Sequence, residues 1–170
     1  MAVLVLHTDG ACHGNPGPGG FGAWWEYNHE AWEILGGSPH TTNNRMELAA
    51  VVQGVQAIKQ ASKQGLLVNP SELCIRTDSQ YVIKGICDWM PGWKKKGWKN
   101  SAGKPIKNQD AWQKLDEELS TLLYPCRWEW VKGHSDDPFN DHADALAQEG
   151  VGMTKQKGGS LVQKRKRALN

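Results

Sequence analysis

Met1-Ala2-Val3-Leu4-Val5-Leu6-His7-Thr8-Asp9-Gly10-Ala11-Cys12 opens the chain, and the fold is decided by how this stretch is read. From Ala2 to Cys12 it alternates and carries β-branched residues, so it predicts a first β-strand. It lacks the basic leader of a signal peptide. Asp9 is the anomaly. A carboxylate in a β-rich, apolar run is costly to bury unless a cation neutralises it.

Working outward, Gly14-Asn15-Pro16-Gly17-Pro18-Gly19-Gly20 reads as a turn. Phe21–Tyr27 and Ala31–Gly36 read as two more strands around the polar turn at 28–30, giving a three-stranded antiparallel meander. Thr41 or Thr42 can N-cap a helix that places Glu47, Leu48, Val51, Val52, Val55 and Ile58 at helical spacing, ending at Gly65. A short strand follows at Glu72–Thr77 and a short helix at Ser79–Cys87. Trp89–Lys107 is rich in Trp, Gly and Lys, irregular or partly helical. Asp110–Leu123 is an amphipathic helix ended by Pro125, Arg127–Val131 a strand, and Asn140–Glu149 a last helix. The order βββαβα(α)αβα predicts an α/β architecture: a five-stranded mixed sheet with helices on both faces. Residues 1–150 form the expected domain. Residues 151–170 show no periodicity and read as a basic, disordered tail.

Four carboxylates sit in distinctive phrases: Asp9 in Thr8-Asp9-Gly10, Glu47 in Asn43-Asn44-Arg45-Met46-Glu47-Leu48, Asp78 in Thr77-Asp78-Ser79-Gln80-Tyr81, and Asp144 in His142-Ala143-Asp144-Ala145. Strands joined by a helical crossover are usually parallel neighbours, which would bring Asp9 and Asp78 to one end of the sheet. Glu47 lies on the intervening helix and Asp144 on the last. Convergence would make a hard-oxygen site suited to Mg²⁺ or Mn²⁺, and phosphodiester hydrolysis is its natural chemistry.

The chain has 170 residues with 20 Lys or Arg and 18 Asp or Glu, a net charge of +2. Twelve of the bases lie in two acid-free stretches, 93–107 and 151–170, which leaves 8 bases against 18 acids elsewhere, or −10. Such a split suits acids that hold metal and bases that hold a polyanion. No apolar run approaches the roughly 20 residues of a membrane span. Cys12, Cys74, Cys87 and Cys126 lack zinc-site spacing. Reduced thiols and a cytoplasmic location are expected.

Thr8-Asp9-Gly10, Gly14–Gly20, Thr41–Leu48, Thr77–Val82, Gly92-Trp93-Lys94-Lys95-Lys96-Gly97-Trp98 and Trp128-Glu129-Trp130-Val131-Lys132-Gly133-His134 resemble in order the phrases of the bacterial ribonuclease HI family, the single-domain type I ribonucleases H. The resemblance covers roughly residues 3–149. It implies the ribonuclease H-like fold with a basic protrusion at about 89–107. It implies endonucleolytic cleavage of the RNA strand of RNA–DNA hybrids, leaving 5′-phosphate and 3′-hydroxyl ends. Asp9, Glu47, Asp78 and Asp144 would hold two Mg²⁺, about 3.5–4 Å apart across the scissile phosphate, with Mn²⁺ able to substitute. His134 matches the family histidine that aids proton transfer or product release. Asn15, Asn43, Asn44 and Gln80 would read the RNA strand and its 2′-hydroxyls. Thr42 and Asn108 would form a DNA-phosphate pocket, and Trp89 with Lys94, Lys95, Lys96 and Lys99 would grip the DNA strand, Trp93 mainly packing. No obligate protein partner is implied, and a monomer is expected.

Departures from the family pattern are His40, where some relatives carry arginine, the acidic phrase Ser135-Asp136-Asp137-Pro138, and the basic C-terminal stretch. A catalytically silent binding module would be expected to lack at least one of these acids. An integrase, transposase or junction resolvase of the same fold would not need the hybrid-reading asparagines or the basic protrusion.

Overall fold

The computed structural model describes residues 2–133 and 136–169. Three strands, β1 (Val3–Cys12), β2 (Gly17–Tyr27) and β3 (Glu30–Thr41), form the expected antiparallel meander. The crossover α1 (Asn43–Lys63) leads to β4 (Glu72–Thr77), which pairs parallel with β1. Helix α2 (Gln80–Lys84), a π-helical turn (Gly85–Trp89), α3 (Met90–Lys95) and α4 (Gln109–Ser120) follow. β5 (Cys126–Trp130) pairs parallel with β4, and α5 spans Pro138–Lys157.

Strand alternation sends neighbouring residues into two different cores. Leu6, Ala23, Trp25, Ile34, Leu73 and Ile75 pack with Val51, Val55 and Ile58 of α1 and with Trp112 and Leu115 of α4. Trp24, Ala31 and Leu35 pack against Ala143 and Leu146 of α5. The sheet is therefore mixed and has helices on both faces, as expected.

Two expectations are corrected. The sheet has six strands, in the order β5-β4-β1-β2-β3-β6. The C-terminal stretch is ordered: α5 runs on to Lys157, and β6 (Leu161–Ala168) pairs antiparallel with β3 from Gly37↔Leu161 to Glu30↔Ala168. Charge holds this strand where hydrophobic patterning could not. Glu33, fully buried on β3, accepts from Arg165 Nε at 2.7 Å and from Arg167 Nη2 at 2.9 Å, and meets His142 Nε2 at 2.5 Å. Arg165 also forks onto Glu149 of α5 at 2.6 and 2.7 Å. On the opposite face of β6, Lys166 lies 4.8 Å above the Trp32 ring.

Glycine sets how closely α5 approaches the sheet. A Cβ on Gly22 of β2 would fall 2.5 Å from Leu146 Cβ and 2.7 Å from Ala143 O. In the run read as a turn, residues from Gly17 on are already strand, and a Cβ on Gly20 would fall 2.1 Å from Ala147 O, so its missing side chain makes room for the helix.

Candidate active site

The parallel register of β1 and β4 ends at His7↔Arg76. Two residues further along come Asp9, still in β1, and Asp78, the first residue after β4, close together at one end of that pairing. α1 supplies the third acid. Thr42 caps this helix, its Oγ1 accepting from Arg45 N at 3.3 Å. Glu47 then falls in the second turn, over Gly10, where a Cβ would sit 2.5 Å from Glu47 N and 2.9 Å from Glu47 Oε1. Only glycine permits this approach.

One carboxylate oxygen from each of Asp9, Glu47 and Asp78 lies within 4.8 Å of the others. Asp9 and Glu47 are 5% and 4% exposed. Gly10 N donates to Asp9 Oδ1 at 3.0 Å. Glu47 Oε1 is buried without a hydrogen-bond partner. Burial, then the charge of Asp78, pushes Asp9 up to about 8. Burial and both neighbouring acids hold Glu47 well above the usual carboxylate range. Three acids crowded out of water, one with an orphaned oxygen, fit a hard divalent cation: it would satisfy that oxygen and relieve the repulsion.

Asp78 is held from two sides. Trp130 Nε1 donates to its carbonyl at 3.1 Å, and Val131 N donates to Thr77 O at 2.9 Å. Asp144, half-exposed on α5, is close enough for its charge to raise Asp9 further. Its oxygens are not among the tight trio. Among the described residues the structure therefore brings three of the four predicted acids together and the fourth within electrostatic reach. His134 lies outside the described residues.

The residues expected to contact substrate lie in the loop after β1, on α1 and α2, and in the segment from Trp89 to Asn108. Asn15 Oδ1 accepts from Asn43 N at 2.9 Å, tying the loop after β1 to the start of α1. Asn43 and Gln80 are exposed and Asn44 half-exposed. Asn108 adopts a left-handed backbone (φ 60°), accepts from Arg45 Nη1 at 3.2 Å and donates to Tyr81 OH at 3.1 Å. Trp93 packs against Trp112, Trp98 and Trp89. Trp89 is exposed, while its ring also meets Tyr81 edge-on. Lys94 pairs with Asp116 at 3.0 Å, and Lys95, Lys96 and Lys99 are exposed.

Sequence reasoning missed the residues that brace these contacts. Arg45 forks onto Asp110 at 2.9 and 2.6 Å, and Tyr81 OH accepts from both Asn108 and Trp112. Both sit inside the quoted phrases, but their partners are 65 and 31 residues away. No local pattern reveals such pairs.

The family model for RNase H matches residues 1–152. A protein of Albidiferax ferrireducens named ribonuclease H is 47% identical over 151 residues, covering 89% of this chain and 95% of its own. Ribonuclease HI of Pseudomonas aeruginosa is 47% identical over 148 residues, covering 87% and 93%. Among solved structures, LC9-RNase H1, described as a type 1 RNase H with the type 2 active-site motif, superposes with a TM-score of 0.76 at 29% identity. That match covers 96% of this chain and 78% of the other.

Proposed function

Because this chain belongs to the ribonuclease H family, an endonuclease family, we propose that it hydrolyses the RNA strand of RNA–DNA hybrids, leaving 5′-phosphate and 3′-hydroxyl ends. The observation that carries this reading is the convergence of Asp9, Glu47 and Asp78 at one end of the sheet, with the Glu47 Oε1 orphaned. These three residues would hold two Mg²⁺, with Asp144 completing the set and Mn²⁺ able to substitute. Bound divalent metal supplies Lewis-acid activation of the attacking water and charge relief at the leaving 3′-oxygen.

The chain's own groups do the remaining work. Asp9 and Glu47 give up their protons as the site loads, since a protonated carboxyl is a poor ligand. The apolar packing behind them fixes their geometry. Asn15, Asn43, Asn44 and Gln80 offer amide donors and acceptors to the RNA strand and its 2′-hydroxyls. His134 would move a proton or help the product leave. The segment from Trp89 to Lys107 would act as a basic protrusion, with Trp89 stacking on the DNA strand beside Lys94, Lys95, Lys96 and Lys99. Thr42 and Asn108 would hold a DNA phosphate, a pocket that Arg45 and Tyr81 stiffen through Asn108.

The test is a panel of end-labelled RNA–DNA hybrid, single-stranded RNA, double-stranded RNA and double-stranded DNA, each with Mg²⁺ and with EDTA. Internal cleavage of RNA in the hybrid alone, abolished by chelator, is expected. Hybrid binding without cleavage in either Mg²⁺ or Mn²⁺ would identify a silent binding module instead.

A further inference from the structure

Arg76 lies on β4 two residues before Asp78, with its side chain 17% exposed. Its Nη2 donates to Asp137 Oδ2 at 2.8 Å, its Nε donates to Glu129 Oε1 at 3.3 Å, and its Nη1 lies 3.5 Å from His7 Nδ1. One guanidinium thus touches β1, β5 and the residue that starts α5. Asp137 has a second task. Its other oxygen, Oδ1, accepts from Phe139 N at 3.0 Å and Asn140 N at 3.3 Å, capping α5.

The chain leaving β5 is fastened to the same strand. Val131 N bonds Thr77 O. Gly133 passes so close that a Cβ there would lie 3.0 Å from Asp78 Oδ2. The connection from β5 to α5 is therefore anchored near one end at Thr77–Asp78 and at the other by Arg76. Asp144 follows Asp137 by seven residues, about two helical turns or roughly 10 Å along α5. Where α5 begins against β4 thus sets how near Asp144 comes to the trio.

We propose that Arg76 and Asp137 are a positioning pair: they hold the start of α5 against β4, set the approach of Asp144 to Asp9, Glu47 and Asp78, and so tune the site's affinity for divalent metal. This rests on reading the acid cluster as a metal-binding hydrolytic centre. An ion pair this secluded is weak evidence for net stability, because desolvation offsets much of its attraction. What it does impose is geometry, since the planar guanidinium presents fixed donors.

Helix capping alone is the competing role, and substitutions separate the two. Asp137→Asn keeps an oxygen for the cap and removes the anion facing Arg76. Asp137→Ala removes both. Arg76→Gln removes the cation, and Arg76→Lys keeps the charge without the fork. The wild type and these four variants would be titrated with Mg²⁺ by calorimetry, unfolded in urea with EDTA, and assayed on hybrid.

Asp137→Asn and Arg76→Gln are each expected to weaken Mg²⁺ binding about tenfold and to lower kcat with KM unchanged. Combined, they should do no worse than either alone, and Arg76→Lys should recover part of the loss. Unchanged Mg²⁺ affinity and kcat in both, with only Asp137→Ala losing stability, would reduce Asp137 to a cap and overturn the proposal. If the wild type binds Mg²⁺ but does not cleave hybrid, the functional reading fails while the titrations still decide the positioning pair. A wild type that binds no Mg²⁺ overturns both.

Discussion

Replacing Asp9 with asparagine should stabilise the metal-free protein. Without metal, the Asp9 carboxyl is held up to about 8 by burial and by Asp78, against an ordinary value of 3.8. At pH 7 the unfolded chain ionises this group, whereas the folded chain keeps the proton. Each pH unit between the two values costs about 1.4 kcal/mol, so folding at pH 7 carries a penalty of up to about 4 kcal/mol. An amide of the same shape carries none. Because the folded value lies above the unfolded one, Asp9's contribution is fully present below about pH 4 and is lost as pH rises through about 8. Asp9's share of the fall in wild-type stability in EDTA should therefore be up to about 1.4 kcal/mol per unit across that window. Asp9→Asn should flatten the slope and raise the melting temperature at pH 7 by up to roughly 10 °C. Saturating Mg²⁺ should reverse the order, because it binds the folded wild type and finds a weakened site in the variant. Urea unfolding followed by circular dichroism at pH 5, 6, 7 and 8, with EDTA and with Mg²⁺, reads all of this. A variant no more stable than wild type at pH 8 in EDTA, or one with the same pH slope, would refute the reasoning.

Further outcomes follow from the packing. Gly10→Ala places a Cβ against the backbone of Met46 and Glu47 and should cost about 1–3 kcal/mol while weakening Mg²⁺ binding; calorimetry and urea melts would detect both. Glu33→Gln strips the buried anion from Arg165, Arg167 and His142 and should cost about 3 kcal/mol. Burial opposes its ionisation, but the Arg165 and His142 hydrogen bonds prevail and hold Glu33 below its ordinary 4.5. Its contribution is accordingly present above about pH 4.5 and lost as pH falls through the folded value, so an acid melt of wild type against Glu33→Gln should show the difference closing at low pH. Trp89→Ala should weaken hybrid binding by about 1–3 kcal/mol and leave single-turnover cleavage of bound hybrid unchanged. Changing Lys95, Lys96 and Lys99 together to alanine should flatten the dependence of affinity on salt.

Much of the fold could be read in the chain because patterning and packing agreed. The meander, the crossover helix and the neighbouring strands of Asp9 and Asp78 rest on alternation and helical spacing, and the structure satisfies both. β6 escaped because Gln163-Lys164-Arg165-Lys166-Arg167 resembles a solvated tail. Its inward residues are satisfied by Glu33 and Glu149, acids on other elements. The expected end of α5 at Glu149 falls short because the sequence shows no periodicity beyond Gly150. In the fold, Gly150 is where the helix backbone lies directly on Gly36 of β3, leaving no space for a Cβ. The start of α5 did carry a local signal, an Asp137 cap with Pro138 in the first turn. Three of the four acids gather as their phrases implied, while the bracing by Arg76, Arg45 and Tyr81 depends on distant partners.

The most direct test compares hybrid cleavage by wild type and by Glu47→Gln across a Mg²⁺ series. The substitution keeps the size of the buried group and removes the charge beside the orphaned oxygen. If the acid trio is the metal-holding centre, wild type cuts the RNA strand internally in a Mg²⁺-dependent manner and Glu47→Gln is slower by at least about a hundredfold. Equal rates for the two proteins would contradict that account.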